Sequence, residues 1–165
     1  MRSLGVLLIS SVPAVLGIFY YFKEVNELNL IKQGIIFITV LKDKMRFSLN
    51  EISRLLTEIK SDPRLKGDME NIIYDIINGG TDNGDLPFAK DKLSKKYSAD
   101  TLRLFTQLFY SLGKSDLSGQ IAHLEYCRSA FNQSFKEKNN LIKEKGKLYL
   151  SLGFFAGAGV FIVLI

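Results

Sequence analysis

The sequence predicts an all-α protein: an antiparallel bundle of about five to six helices carried on two transmembrane helices, one N-terminal and one C-terminal. Three observations lead there. First, charge is segregated. All 17 Asp and Glu, and every one of the 22 Lys and Arg except Arg2, lie between Lys23 and Lys147. Second, the flanks Leu4–Phe22 and Leu148–Ile165 carry no charged side chain at all. Third, apolar residues between the flanks recur every three or four positions, with no sustained alternation of the kind strands show. The chain therefore divides into 1–22, 23–147 and 148–165. This layout excludes an ordinary soluble enzyme. The Leu, Ile and Phe of the middle region exclude intrinsic disorder.

The first flank supplies 19 mostly apolar residues, close to the roughly 20 that a spanning helix needs. Pro13 and Gly17 lie inside it, which bilayer helices tolerate when neighbours re-satisfy the backbone. Tyr20, Tyr21 and Phe22 stand at its end as an interfacial aromatic belt would. A cleaved signal peptide is the competing reading, but Ser11-Val12-Pro13-Ala14 is a poor cleavage site, so a retained anchor is expected. The second flank has 18 residues and would reach about 27 Å. Gly153 and Gly157 form a small-xxx-small pair suited to close helix packing, with Gly5, Ala14 and Gly17 of the first flank as partners. Lys23, Lys32, Lys143, Lys145 and Lys147 border the middle region, whereas Arg2 alone lies beyond it. By the positive-inside rule, both termini are outside and the middle region is cytosolic.

Within the middle, Leu28, Ile31, Ile35, Ile38, Leu41 and Met45 extend the first helix to about Phe47. Ser48 with Glu51 reads as a capping box that opens a second helix, whose apolar face is Leu49, Ile52, Leu55, Leu56 and Ile59. Asp62-Pro63 reads as the start of a third, carrying Met69, Ile72, Ile73, Ile76 and Ile77 and closed by Gly79. Gly79 to Asp85 is a loop, and Leu86 to about Tyr97 a short helix. Ser98 caps the helix of Leu102, Leu104, Phe105, Leu108, Phe109 and Leu112, which Gly113 ends in a left-handed conformation. Ser115 or Asp116 caps the last helix. Its apolar walk starts at Leu117, Ile121, Leu124 and Phe131 and runs on into the second flank.

The chemistry this sequence lacks is equally informative. One Cys (Cys127) and one His (His123) exclude an internal disulfide and a Cys/His zinc site. The two are four apart and share a helix face, as an ordinary packed pair does. No phosphate-cradling loop, nucleophile elbow or metalloprotease motif occurs, so no catalytic residue, cofactor or metal is expected. Lys90, Lys92, Lys95 and Lys96 are the densest basic cluster; a solvated helix face is the plain reading, and anionic lipid or an acidic partner the functional one. Dispersed charges without interleaved aromatics argue against nucleic acid.

At Leu112-Gly113-Lys114-Ser115-Asp116, followed by Gln120 and His123, the sequence resembles the stage III sporulation protein AB family of endospore-forming bacteria. The likeness extends over most of the chain, through the long charged helix to the Gly-rich terminus that begins Ser151-Leu152-Gly153. Between Lys44 and Leu49 the chain departs from the family pattern. The resemblance implies similarity to the inner-membrane platform proteins of type II secretion and type IV pilus machines. It implies a non-enzymatic role in the channel complex between mother cell and forespore, in the mother-cell membrane around the forespore. Its implied partners are other membrane proteins of that complex, a cytosolic secretion-type ATPase and the lipid bilayer, with homo-oligomerisation left open. The alternative is a small membrane-anchored regulator or sensor. For Leu112, Gly113, Ser115, Asp116 and Gln120, the expected role is a structural turn or a partner contact.

Overall fold

The computed structural model describes the backbone of residues 2–47, 51–79 and 93–164; side chains are described for most of 15–144 within those ranges and for only a few positions outside it. All regular elements among the described residues are helices: α1 (Arg2–Phe47), α2 (Ile52–Lys60), α3 (Asp68–Gly79), α4 (Ser94–Lys96), α5 (Ala99–Tyr110) and α6 (Leu117–Leu164). Two compact units result. A terminal unit joins Met1–Leu28 with Lys136–Ile165, and a central unit comprises Asn29–Phe135. This partition follows packing, whereas 1–22, 23–147 and 148–165 follows charge.

The helical period seen in the sequence is the period of burial. In α1, Leu30, Ile31, Phe37, Ile38, Leu41 and Met45 are buried; in α2, Leu55, Leu56 and Ile59; in α3, Met69, Ile72, Ile73 and Ile76. Alpha-helical spacing puts such residues on one stripe, and removing that stripe from water is what holds short helices in place. The centre of the unit is aromatic. Phe105 and Phe131 meet edge to face with ring centroids 4.9 Å apart, and Phe37 and Phe109 meet at 5.3 Å. These rings come from α1, α5 and α6, so the long helices close over α5.

Several helix ends differ from the sequence-based expectation. α2 starts at Ile52, with Glu51 in the cap position and no side-chain cap bond. The expected capping box fails because Glu51 precedes the helix instead of lying inside its first turn; Ser48 and Leu49 are outside the described residues. α3 does not begin at Asp62-Pro63. Asp62 instead folds a turn, accepting from the Arg64 backbone N–H at 2.9 Å while Leu65 N–H bonds its carbonyl. Leu65 is buried, and Gly67 then takes φ 71 before α3 starts at Asp68. α5 ends at Tyr110 and not at Gly113, which lies in the turn that follows. Leu117, placed on the buried walk of the last helix, is 48% exposed because it is that helix's first residue. Most of the expected helix from Leu86 to Tyr97, and the loop before it, lies outside the described residues; α4 is its described end.

Among the described residues, no helix is long and apolar enough to cross a membrane. The two expected spans, Leu4–Phe22 and Leu148–Ile165, fall mostly on residues whose side chains are not described, and so do Gly153 and Gly157.

Candidate functional site

The five motif residues lie on the turn from α5 to α6. α5 stops where Ser111 leaves the helix, and Leu112 N–H bonds the Phe109 carbonyl at 3.3 Å. Gly113 follows with φ 81, a conformation that side chains with a Cβ rarely adopt. Asp116 then caps α6: its Oδ1 accepts from Gly119 N–H at 3.1 Å, and its carbonyl accepts from Gln120 N–H at 2.9 Å. Gly119 is small for a reason. A Cβ there would sit 2.9 Å from both Asp116 Oδ1 and Ser115 Oγ, which fold over the first turn. Gln120 is buried, and its Nε2 donates to the Ser115 carbonyl at 3.2 Å. Its Oε1 is buried with no hydrogen-bond partner. Leu112 is half-buried, while Gly113, Ser115 and Asp116 are exposed.

A second tie joins the same helices one turn further on. His123 Nε2 lies 3.4 Å from the Leu108 carbonyl and 3.4 Å from Cys127 Sγ. Burial pushes the Cys127 thiol up to about 11, which keeps it protonated and a poor nucleophile at neutral pH. The pair therefore fastens α6 to the last turn of α5. Among the described residues no group of three or more His, Cys, Asp or Glu could hold a metal ion.

Two measurements test this turn. A Cβ at Gly113 would meet only Ile52 Cδ1, at 3.7 Å, so the constraint there is backbone conformation and not crowding. Gly113→Val is expected to cost roughly 1–3 kcal/mol, and Gly113→Asn less, since Asn tolerates left-handed φ. Equal melting temperatures for wild type and Gly113→Val would contradict it. Asp116→Ala removes the acceptor for Gly119 N–H and should cost about 1 kcal/mol, with Asp116→Asn closer to wild type.

The basic cluster is not a uniform patch. Lys90 and Lys92 lie outside the described residues, and Lys95 is exposed. Lys96 instead pairs with Asp68 at the start of α3, and the Tyr97 hydroxyl donates to the same carboxylate. Burial pushes the Asp68 carboxyl up, but the Lys96 and Tyr97 hydrogen bonds outweigh it and hold the group below its ordinary value. A carboxylate with a depressed folded-state pKa stabilises the fold above its unfolded pKa and loses that contribution as pH falls through the folded value. Acidification below about pH 4 should therefore loosen the α3–α4 junction. Asp68→Asn should remove this part of the acid dependence; an unchanged acid-unfolding profile in that variant would speak against it.

Sequence reasoning missed three other contacts. Lys42, on the buried face of α1, reaches Glu125 of α6 at 2.5 Å. In the terminal unit, Glu27 is 3% exposed and meets Lys138 at 3.1 Å. Gly34 is the third: a Cβ there would lie 2.3 Å from Phe131 Cε1. For the charges a signal existed, because Glu27 and Lys42 each fall four residues from an apolar position of the buried stripe, Ile31 and Ile38.

No curated protein and no solved structure matches the chain. One family model does, over residues 2–165, and its description is stage III sporulation protein AB. That match takes in both long helices and the whole central unit, and the family it names is a sporulation family. By this match the chain is a member of the stage III sporulation protein AB family, and its role belongs to stage III of sporulation.

Proposed function

We propose that the chain is a non-enzymatic platform component of the channel complex between mother cell and forespore. It sits in the mother-cell membrane around the forespore through two spanning helices. Residues 23–147 face the cytosol and couple a secretion-type ATPase to the membrane complex. The observation that carries the membrane part is the outward face of the terminal unit. Val15, Ile18, Phe19 and Phe22 on α1, and Leu148, Leu152, Phe155 and Ile162 on α6, are all exposed. A helix pair in water turns such residues inward, and one in hydrocarbon has no reason to. Coupling is supported by continuity: α1 and α6 each supply residues to both units without a break in the helix.

A flexible Gly-Ser linker inserted after Lys143, in the gene of a sporulating host, tests this reading. The variant should accumulate in the membrane fraction at wild-type level and yet block sporulation after engulfment. Normal spore yield with the linker would make the chain a passive tether and favour a membrane-anchored regulator.

A further inference from the structure

The terminal unit changes character sharply at one level, and the change occurs on both of its helices. Glu27 and Lys138 meet near the ends of the two segments that make this unit, so α1 and α6 run antiparallel away from that contact. Four residues outward, about 6 Å along each axis, are Lys23 on α1 and Ile142 on α6, with Lys143 next to it. Lys23 and Lys143 are both exposed. Beyond them the exposed apolar side chains begin, at Phe22 directly after Lys23 on one helix and, past Glu144, at Leu148 on the other. Tyr20, 57% exposed, stands one turn into the apolar zone, where an amphipathic ring bridges hydrocarbon and headgroups.

Charge at this level is mixed, but the acids are outnumbered or turned inward. Glu27 is turned inward and faces Lys138, and Glu24 is half-buried. Glu144 is the exposed acid beside Lys143. Lys145 and Lys147 follow it in the sequence on the apolar side, with no acid after Glu144. The net surplus at the boundary is therefore positive and lies where lipid phosphates would be if the apolar zone is in hydrocarbon.

We propose that this boundary, centred on Lys23 and Lys143, is a binding surface for the headgroups of anionic phospholipids. The proposal rests on the membrane-spanning reading above and adds the class of lipid. Ammonium groups near a membrane surface attract anionic lipid, and salt screens that attraction. The Lys90–Lys95 cluster is a separate basic segment and serves as the control.

The test uses the full chain reconstituted into phosphatidylcholine vesicles containing a trace of spin-labelled phosphatidylglycerol or spin-labelled phosphatidylcholine. Electron paramagnetic resonance then reads the motionally restricted lipid in contact with protein. The expected result is a restricted component with both lipids, and a roughly two- to five-fold preference for phosphatidylglycerol that weakens with salt. Lys23→Gln/Lys143→Gln should lose most of the preference, and adding Lys145→Gln/Lys147→Gln the rest. Lys90→Gln/Lys92→Gln/Lys95→Gln should keep it. Equal restriction of the two lipids by the wild-type chain would overturn the proposal while leaving the spanning helices intact. A preference lost only in the Lys90 variant would also overturn it. No restricted component with either lipid would remove the spanning reading as well.

Discussion

Gly34→Leu is expected to unfold the central unit or leave it barely folded. Even a single Cβ at Gly34 would lie 2.3 Å and 2.8 Å from two atoms of the Phe131 ring and 3.1 Å from Phe105 Cζ. The Phe131 ring has little room to yield, because it is fully buried and packed edge to face on Phe105. Overpacking a well-filled core costs roughly 1–3 kcal/mol and sometimes more, and four extra carbons put this case at the upper end. Gly34→Ala sets two effects against each other. Alanine favours a helix over glycine by about 1 kcal/mol, but the collision with Phe131 exceeds that gain, so a net loss is expected. The specific check is compensation. If the clash is with this ring, Gly34→Leu combined with Phe131→Ala should be more stable than the sum of the two single losses, with a coupling of about 0.5–3 kcal/mol. Strict additivity in thermal unfolding would show that the ring is not the obstacle.

The second large effect is expected at Lys138. Lys138→Met takes away the ammonium that faces Glu27, whose side chain is 3% exposed, and leaves a buried carboxylate without it. Breaking a buried pair from one side costs about 3–5 kcal/mol, because the remaining charge stays out of water with its opposite charge gone. Lys138 itself is 18% exposed, which places the expectation at the lower end. Replacing both residues, as Glu27→Leu/Lys138→Met, should cost less than Lys138→Met alone. Melting temperatures of the three variants in the same detergent decide it. A double variant less stable than Lys138→Met would mean that Glu27 supports the fold independently of Lys138, and that the loss at Lys138 is not the cost of a buried charge.

These two sites show where sequence reading stops. The buried stripes of α1, α2, α3 and α5 were legible because burial imposes its period on residue choice, and Ile31, Ile38, Leu55, Ile59, Ile73 and Phe105 obey it. So was Gly113, since a glycine after an apolar run that is followed by Ser and Asp suits few conformations. Gly34 was not legible. Inside a helical pattern a glycine registers only as a weak helix former, and its reason lies on another helix, in Phe131. Helix starts were misjudged for a related cause. Ser48, Glu51, Asp62 and Pro63 all have capping chemistry, and local spacing does not tell which of them the tertiary packing will use. Asp62 serves a turn because Leu65 is drawn into the core, which the residues around Asp62 do not reveal. Lys96 looked like part of a solvated basic face until α3 placed Asp68 against it.

The pairing of α1 with α6 inside the central unit also sets the order in which the chain can mature. Lys42 and Glu125 are 83 positions apart, and Gly34 and Phe131 still farther. At a synthesis rate of about 5–20 residues per second, the face of α1 that carries Ile31, Phe37, Ile38 and Leu41 waits roughly 4–17 seconds for its cover to leave the ribosome. During that interval α1 can gather α2 and α3, but its contact with Phe131 does not yet exist. Closure is thus a late, non-local event, the kind that slows folding and leaves apolar surface exposed to other nascent chains. A ribosome stalled between Phe109 and Phe131 would hold a half-built core with its longest seam open.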